Sequence, residues 1–351
     1  MRPAQEAQRL CILAEGAFND ENAKTGIGVI RYGSRHVVAV IDSMQAGRDV
    51  SSVLGIGHGI PIVCDIREAL QYHPQALLIG IAPIGGRLPD SWRSQIITAI
   101  TNGLHVISGL HVLLKDDPDL VKLATEHHVD LWDVREPVNE MQVAQNLPHR
   151  PGSKTVLFVG SDCSVGKMTA ALECHREALA RGYRSKFIAT GQTGIIIAGD
   201  GIPLDRIIGD FMPGSVERVV VEACAHYDWV WVEGQGSLIH PAYSPVTLAL
   251  VHGAHADAMI LVHKPDRTCI RHYHISIPPL SELISLYQQA ASWVCPSRVA
   301  GIALNTFGLP EQAAQKAIQD AQQAVCLPTT DPVRYGASVL VDALVAMFQT
   351  A

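Results

Sequence analysis

TVLFVGSDCSVGKMT, residues 155–169, reads as a buried strand, a glycine-bounded loop and the first turn of a helix. Glycines at positions 160 and 166 let the backbone turn its amide hydrogens inward around an anion. The helix that follows adds the positive end of its dipole, and Lys167 supplies a point charge. An ordinary strand-to-helix turn with a surface lysine is the plainer alternative. An apolar strand, paired glycines, a lysine and a hydroxyl in this order argue against it. The stretch is therefore read as a phosphate-binding loop, with Gly160, Ser161, Asp162, Cys163, Ser164, Val165, Gly166, Lys167, Met168 and Thr169 as candidate cofactor-binding residues.

The loop departs from the commonest pattern in two ways. Five residues separate Gly160 from Gly166 where the usual motif has four, and Met168 follows the lysine where Ser or Thr would ligate magnesium. The longer loop with an Asp in third place resembles that of dethiobiotin synthetase and its relatives. A thioether is no ligand for a hard cation that takes oxygens in octahedral geometry. Either Asp162 or Thr169 assumes that duty, or the loop holds phosphate without a metal, as suits a phosphate-bearing cofactor that is not hydrolysed.

At 351 residues the chain exceeds what one core usually organises, so two domains are expected. It has no long uninterrupted apolar run, and its first residues lack a basic start and apolar core, so a soluble, cytoplasmic protein without membrane partners is expected. The eight cysteines form no CxxC pair, and several lie in apolar runs, as Cys64 and Cys224 do; they read as reduced core residues. A formal charge of −7 argues against a nucleic-acid partner held by bulk electrostatics.

Two prolines, a glycine and polar residues in VAQNLPHRPGSK, 143–154, interrupt the apolar pattern, which places a domain boundary at about residue 150: 1–150, then 151–351. Upstream, the runs VVAVID, IPIVCD, ALLIGIAP and HVISG alternate with helical stretches, an α/β pattern with a parallel sheet. Asp65 with Glu68 fits a capping box, and GIGHG at 55–59 reads as a turn and not as a dinucleotide fingerprint. The loop 81–89 follows an apolar strand, and its Arg87 is a candidate to pair with a substrate carboxylate.

Downstream the rhythm continues as a doubly wound nucleotide-binding pattern, with strands KFIAT, WVWVEG, AMILVHK and VAGIALN. Glu233 closes WVWVEG, where it could ligate magnesium, orient a water or accept a proton from a substrate amine; capping the GQG turn is its plainer use. Gln192 and Thr193, in the GQTG run, offer amide and hydroxyl groups to a cofactor, and Asn305 ends a strand from which related phosphate-loop enzymes read a purine. Pro213 and Ser215 after Asp210 look like a helix entry. His240, behind the GQGSLI turn, is a second acid/base candidate. The pairs His252/His255 and His272/His274 have ligand-like spacing, but no HExxH or carboxylate motif frames them, so no metal site is assigned.

GSDCSVGKMT, ATGQTGI, GDFMPGSVE, WVEGQGSLIHP and LVHKPDR occur in this order. With them the chain resembles, over essentially its whole length, the domain of unknown function 1611 family, which includes D-glutamate N-acetyltransferases. The resemblance implies a Rossmann-like N-terminal domain and a C-terminal P-loop NTPase-like domain. It also implies an enzyme that moves acetyl from acetyl-CoA to an amino acid amine. In that setting the loop holds the coenzyme's phosphates, Glu233 or His240 takes the amine proton, and Arg87 holds substrate carboxylate. A homo-oligomer with a small amino acid as substrate is expected. An ATP-dependent ligase or kinase using ATP with magnesium, and a non-catalytic nucleotide-binding module, are the competing readings.

Overall fold

The computed structural model describes residues 2–19, 22–81, 88–136 and 142–349. The chain divides into two compact units, 1–137 with 192–203, and 138–191 with 204–351.

In the first unit, β1 (Arg9–Leu13), β2 (His36–Ile41), β3 (Ile62–Val63), β4 (Ala76–Ile79), β5 (His105–Ser108) and β6 (Leu131–Asp133) form one sheet. The order is β3-β2-β1-β4-β5-β6 and every pairing is parallel, the order of a dinucleotide-binding sheet. Its helices are α1 (Pro3–Glu6), α2 (Lys24–Tyr32), α3 (Val50–Leu54), α4 (Ile66–Ala69), α5 (Asp90–Thr101) and α6 (Pro118–Glu126). The four expected strands form, and β1 and β6 add to them. β1 runs through the middle of the sheet, and its residues 10–13 are fully buried, as a parallel strand covered on both faces requires. Asp65 caps α4 by accepting from Glu68 N at 3.0 Å, while the Glu68 carboxylate reaches back one residue beyond the cap, to Cys64 N at 2.8 Å. GIGHG is a turn, with Gly55 closing α3 in the left-handed region.

In the second unit the strands are β7 (Lys154–Gly160), β8 (Ser185–Ile188), β9 (Trp229–Val232), β10 (Ala258–His263), β11 (Arg298–Leu304) and β12 (Thr329–Thr330). They form a second parallel sheet, β12-β11-β10-β7-β9-β8. The helices of this unit are α7 (Lys167–Ala180), α9 (Met212–His226), α10 (Ser244–Gly253), α11 (Leu280–Ser292), α12 (Glu311–Val325) and α13 (Ser338–Gln349), while α8 (Gln192–Ala198), between α7 and α9 in sequence, belongs to the first unit. Pro213 stands at the entry of α9 as expected. The core packs on Phe158, Trp231 and Ile260, and Trp231 stacks on Trp229 with ring centroids 5.2 Å apart, two residues along one strand and so on one face. Each such aromatic contributes roughly 1.5–3 kcal/mol by burial.

Two features depart from the expected boundary at 150. Residues 142–150 belong to the second unit, where the Glu217 carboxylate in α9 accepts from Gln145 N (2.8 Å) and Leu147 N (2.9 Å). Arg150 continues this strap, donating to Cys224 O and Tyr227 O. The second feature is α8, which follows β8 in sequence but packs in the first unit against α2. Thr193 and Thr25 share a hydroxyl hydrogen bond of 2.9 Å there, and Arg135 donates to Gln192 Oε1 at 2.7 Å. A buried pair of threonines and a buried arginine thus hold α8 where chain order alone would not put it. No helix among the described residues is long and apolar enough to cross a membrane.

Candidate phosphate-binding site

The sequence of β7 is apolar because the strand lies in the middle of its sheet, between β9 and β10. This is where the strand order reverses, and open α/β sheets place ligands beyond the carboxyl end at such a point. The loop that leaves β7 turns into α7 through Gly166, whose φ of 108° no other residue adopts without strain. Val165 is fully buried and anchors the turn from below.

Lys167 opens α7 and lies buried, its Nζ donating to Asp162 O at 2.8 Å and to Gly236 O at 2.7 Å. The ammonium therefore ties the loop to the GQG turn after β9. That turn passes so close to β7 that a side chain at Gly234 would sit 1.6 Å from Phe158 O, which makes glycine obligatory there. Met168 is buried, so the position that would carry a metal-binding hydroxyl packs as core, while Thr169 is half-buried. Tyr287, fully buried in α11, donates its hydroxyl to Gly160 O at 2.7 Å and accepts from Leu238 N at 3.2 Å. Burial pushes this phenol up, so it remains a neutral donor. On the other side of the loop Asn305 lies against Gly166: its side-chain nitrogen is 3.5 Å from where a Cβ would stand, and its Oδ1 accepts from Phe307 N.

Asp162 does not reach into the loop as a metal ligand would. Fully buried, it accepts from Cys163 N through Oδ1 (2.6 Å) and from Arg271 N (2.9 Å) and Arg267 Nη1 (3.1 Å) through Oδ2. Arg267 also donates to Cys163 O at 2.7 Å, so one guanidinium clamps the loop from outside. Ser161 is held by His263 at the end of β10, whose Nδ1 lies 2.9 Å from its Oγ. Burial, with a smaller push from Arg267, lowers the His263 imidazole to about 4, so it is neutral near pH 7.

His240 lies buried beside this cluster, its Nε2 4.0 Å from Asp162 Oδ1. Its Nδ1 accepts the backbone N–H of Ala242 at 3.1 Å. In the neutral ring the proton consequently sits on Nε2, and His240 presents a donor toward Asp162, not a free lone pair. Burial lowers its basicity and Lys167 lowers it further, against the opposing pull of Asp162. Asp162, Cys163 and His240 offer metal-ligand atoms within 4.8 Å of one another. The imidazole's tautomer and the arginine on Asp162 both oppose a cation there, because a ligating Nε2 needs Nδ1 to donate. Neither His252/His255 nor His272/His274 takes part in such a group among the described residues.

Glu233 follows β9 and is buried; its Oε2 accepts from Thr190 N (2.9 Å) and Gly191 N (3.2 Å), fastening the end of β9 to that of β8. Gln235 donates to Thr190 O, and Thr247 donates to Gln235 O at 2.8 Å, which fixes the GQG turn from α10. Thus Glu233 stands at a strand end of the sheet that carries the phosphate loop, and it has a structural use as well. Gln192 and Thr193, expected among the cofactor ligands, group instead with the first unit. Arg87 lies outside the described residues. Arg267, His263 and Tyr287 were not singled out from sequence. The first two sit in the LVHKPDR run, which carried the resemblance without a role; Tyr287 looked like any aromatic on a helix's core face.

Two family descriptions match the chain: "Domain of unknown function (DUF1611_C) P-loop domain" over residues 142–341, and "Domain of unknown function (DUF1611_N) Rossmann-like domain" over residues 43–137. A protein of Tritonibacter scottomollicae named D-glutamate N-acetyltransferase is 40% identical over 329 residues, covering 93% of this chain and 95% of its own length. One of the same name from a Pseudoalteromonas species is 35% identical over 285 residues, 81% of this chain and 84% of its own. The crystal structure of a DUF1611 family protein from Anabaena variabilis ATCC 29413 superposes with a TM-score of 0.91 at 42% identity, covering 97% of this chain and 99% of that one. With a Rossmann-like and a P-loop domain in the family's order, the chain belongs to the DUF1611 family.

Proposed function

We propose that this chain is an N-acetyltransferase that moves acetyl from acetyl-CoA to the amine of an amino acid such as D-glutamate, with the coenzyme's phosphates in the loop 160–169. The observation that carries the reading is a phosphate loop equipped for an anion and poor in ligands for magnesium. Lys167 and the start of α7 supply positive charge, while Met168 is packed as core and Asp162 is engaged by two backbone amides and Arg267. A loop that only grips phosphate has no need of the metal that phosphoryl transfer requires. The name carried by the two relatives supports acetyl as the group transferred and an amine as its acceptor.

The amine nitrogen attacks the thioester carbonyl, the C–S bond breaks as the CoA thiolate leaves, and the nitrogen sheds a proton. Glu233 is the acceptor we assign to that proton, as a carboxylate at a strand end of this sheet. His240 acts as a hydrogen-bond donor from Nε2 in this scheme, because its other nitrogen is taken by Ala242. Arg87 remains our assignment for the substrate carboxylate.

Calorimetry with acetyl-CoA in the presence of a chelator, and separately with Mg-ATP, tests the reading. Acetyl-CoA binding that survives chelation, with acetylated D-glutamate formed on addition of the acceptor, is the expected result. Magnesium-dependent ATP turnover without acetyl transfer would replace the reading by an ATP-dependent ligase or kinase, and binding with no product by a nucleotide-binding module. Glu233→Gln, which keeps an acceptor for Thr190 and Gly191, is expected to lower kcat about a hundredfold with little change in coenzyme affinity. Unchanged turnover would remove Glu233 as the base.

A further inference from the structure

Beyond β10 the chain makes a short hairpin over the phosphate loop. Ile277 N donates to Thr268 O at 2.8 Å and Ile270 N to Ile275 O at 2.9 Å, and Cys269 and Ser276 form an antiparallel bridge. Three contacts fix the hairpin within the second unit. Ile270 is buried beneath it, Arg271 N donates to Asp162 Oδ2 at 2.9 Å, and the Tyr273 ring meets His240 edge-on at 5.3 Å. The backbone of Arg271 is therefore pinned to the third residue of the phosphate loop. Its side chain is exposed and carries no ion pair among the described residues, unlike Arg267, which is committed to Asp162. His272 and His274 follow it, both exposed. The carboxylate closest in sequence, Asp266, pairs with Lys264 at 3.3 Å, and Asp162 is buried and engaged by Arg267 and the Arg271 amide.

A cation held one side chain from an anion-binding loop suits a ligand with two separate anionic groups. A pyrophosphate in the loop amides accounts for the first. We propose that Arg271, supported by His272, binds a phosphomonoester on the ribose of the same ligand, so that this hairpin selects a 3′-phosphorylated coenzyme over a plain adenine nucleotide. The inference rests on the coenzyme reading above and adds to it the residue that recognises the coenzyme's third phosphate. Arginine suits the task because its planar fork matches phosphate oxygens and stays charged at every physiological pH.

Coenzyme A and 3′-dephospho-coenzyme A, titrated by calorimetry into the full-length protein and into Arg271→Ala and Arg271→Lys, test it. Wild type is expected to bind coenzyme A about tenfold more tightly than the dephospho form. Arg271→Ala should bring that ratio to about one by weakening coenzyme A alone, and Arg271→Lys should restore part of it. A folding defect would weaken both ligands together, so the ratio separates recognition from damage. Equal affinities in wild type, or a ratio that persists in Arg271→Ala, overturns the inference and leaves the coenzyme reading standing. A raised KM for D-glutamate with the ratio intact would assign Arg271 to the acceptor carboxylate and likewise overturn it. If neither form of coenzyme A binds, both proposals fall. If the ratio behaves as expected but no amine is acetylated, the hairpin site stands and acetyl transfer falls.

Discussion

The two units contain the same six-stranded parallel architecture, yet the connection leaving the first strand has been used differently in each. After β1 the chain passes through Gly16 and Phe18 toward α2, and the amides of both donate to one buried carboxylate, Asp42 at the end of β2, at 3.2 and 3.0 Å. Met44 N donates to it as well, at 3.0 Å. The first unit thus supplies its own anion where a nucleotide-binding sheet would receive a phosphate. After β7 the loop's buried carboxylate, Asp162, takes only one amide of the loop, Cys163 N, its other donors being Arg267 and Arg271, and a cation, Lys167, rests on two carbonyl oxygens. The turn after β1 is thus closed on its own carboxylate, and strand order takes part in the difference: the second strand of the first unit lies beside β1 and brings Asp42 to that turn, whereas the third strand of the second unit, β9, lies beside β7 and brings the GQG turn to Lys167.

The strongest way to break this comparison is to remove the cation. Lys167→Ala removes the charge that the proposed function sets against the coenzyme's phosphate, and affinity for acetyl-CoA is expected to fall about a hundredfold, equivalent to about 2.7 kcal/mol. Calorimetry reads the affinity, and a circular dichroism melt shows whether the fold survives. Retained affinity with an intact fold would mean that the loop is as closed as its counterpart after β1.

Removing the internal anion is the complementary experiment. Asp42→Ala leaves the N–H groups of Gly16, Phe18 and Met44 without their buried acceptor, which is expected to cost about 2–4 kcal/mol of stability. Coenzyme binding should be unaltered in whatever fraction stays folded. A melting temperature within a degree of wild type would show that the carboxylate is not what closes this turn.

How much of this was legible in the sequence follows from the length scale of each signal. The phosphate loop is local: strand, glycines and lysine lie within fifteen consecutive residues, so its position and that of β7 could be read directly. β1 escaped because five apolar residues beside a polar N-terminal segment resemble any short hydrophobic run. Its identity as a central strand depends on pairing with β2 and β4, which lie far along the chain. The placement of α8 escaped for a similar reason, since GQTG reads as a loop after a strand while its partners are Thr25 and Arg135. Among the site residues, Glu233 was recognisable from its place after four apolar residues. That its Oε2 is occupied by Thr190 and Gly191 amides, and that the lone pair of His240 is taken by Ala242, are facts of tertiary geometry.

The smallest expected effect concerns pH. His263 ends β10, one of the two strands beside β7, and holds Ser161 of the phosphate loop as a neutral imidazole. Its ring falls from an ordinary 6.5 to about 4 on folding, chiefly through burial. A histidine with a depressed folded pKa binds its proton more readily when the chain is unfolded, so between about pH 6.5 and 4 acid favours unfolding. Above that window the ring is neutral in both states and contributes no penalty. The ring is not wholly buried, and solvent screening reduces the full linkage, leaving on the order of 1–2 kcal/mol lost across the window. His263→Asn, which cannot titrate and can still bond Ser161, should flatten that part of the stability curve measured by urea titration at successive pH values. An undiminished slope would place the acid sensitivity elsewhere, with the half-buried His175, also lowered to about 4, as the next group to substitute. A flattened slope would show that acid loosens the receptive sheet through the residue that holds Ser161 in the phosphate loop.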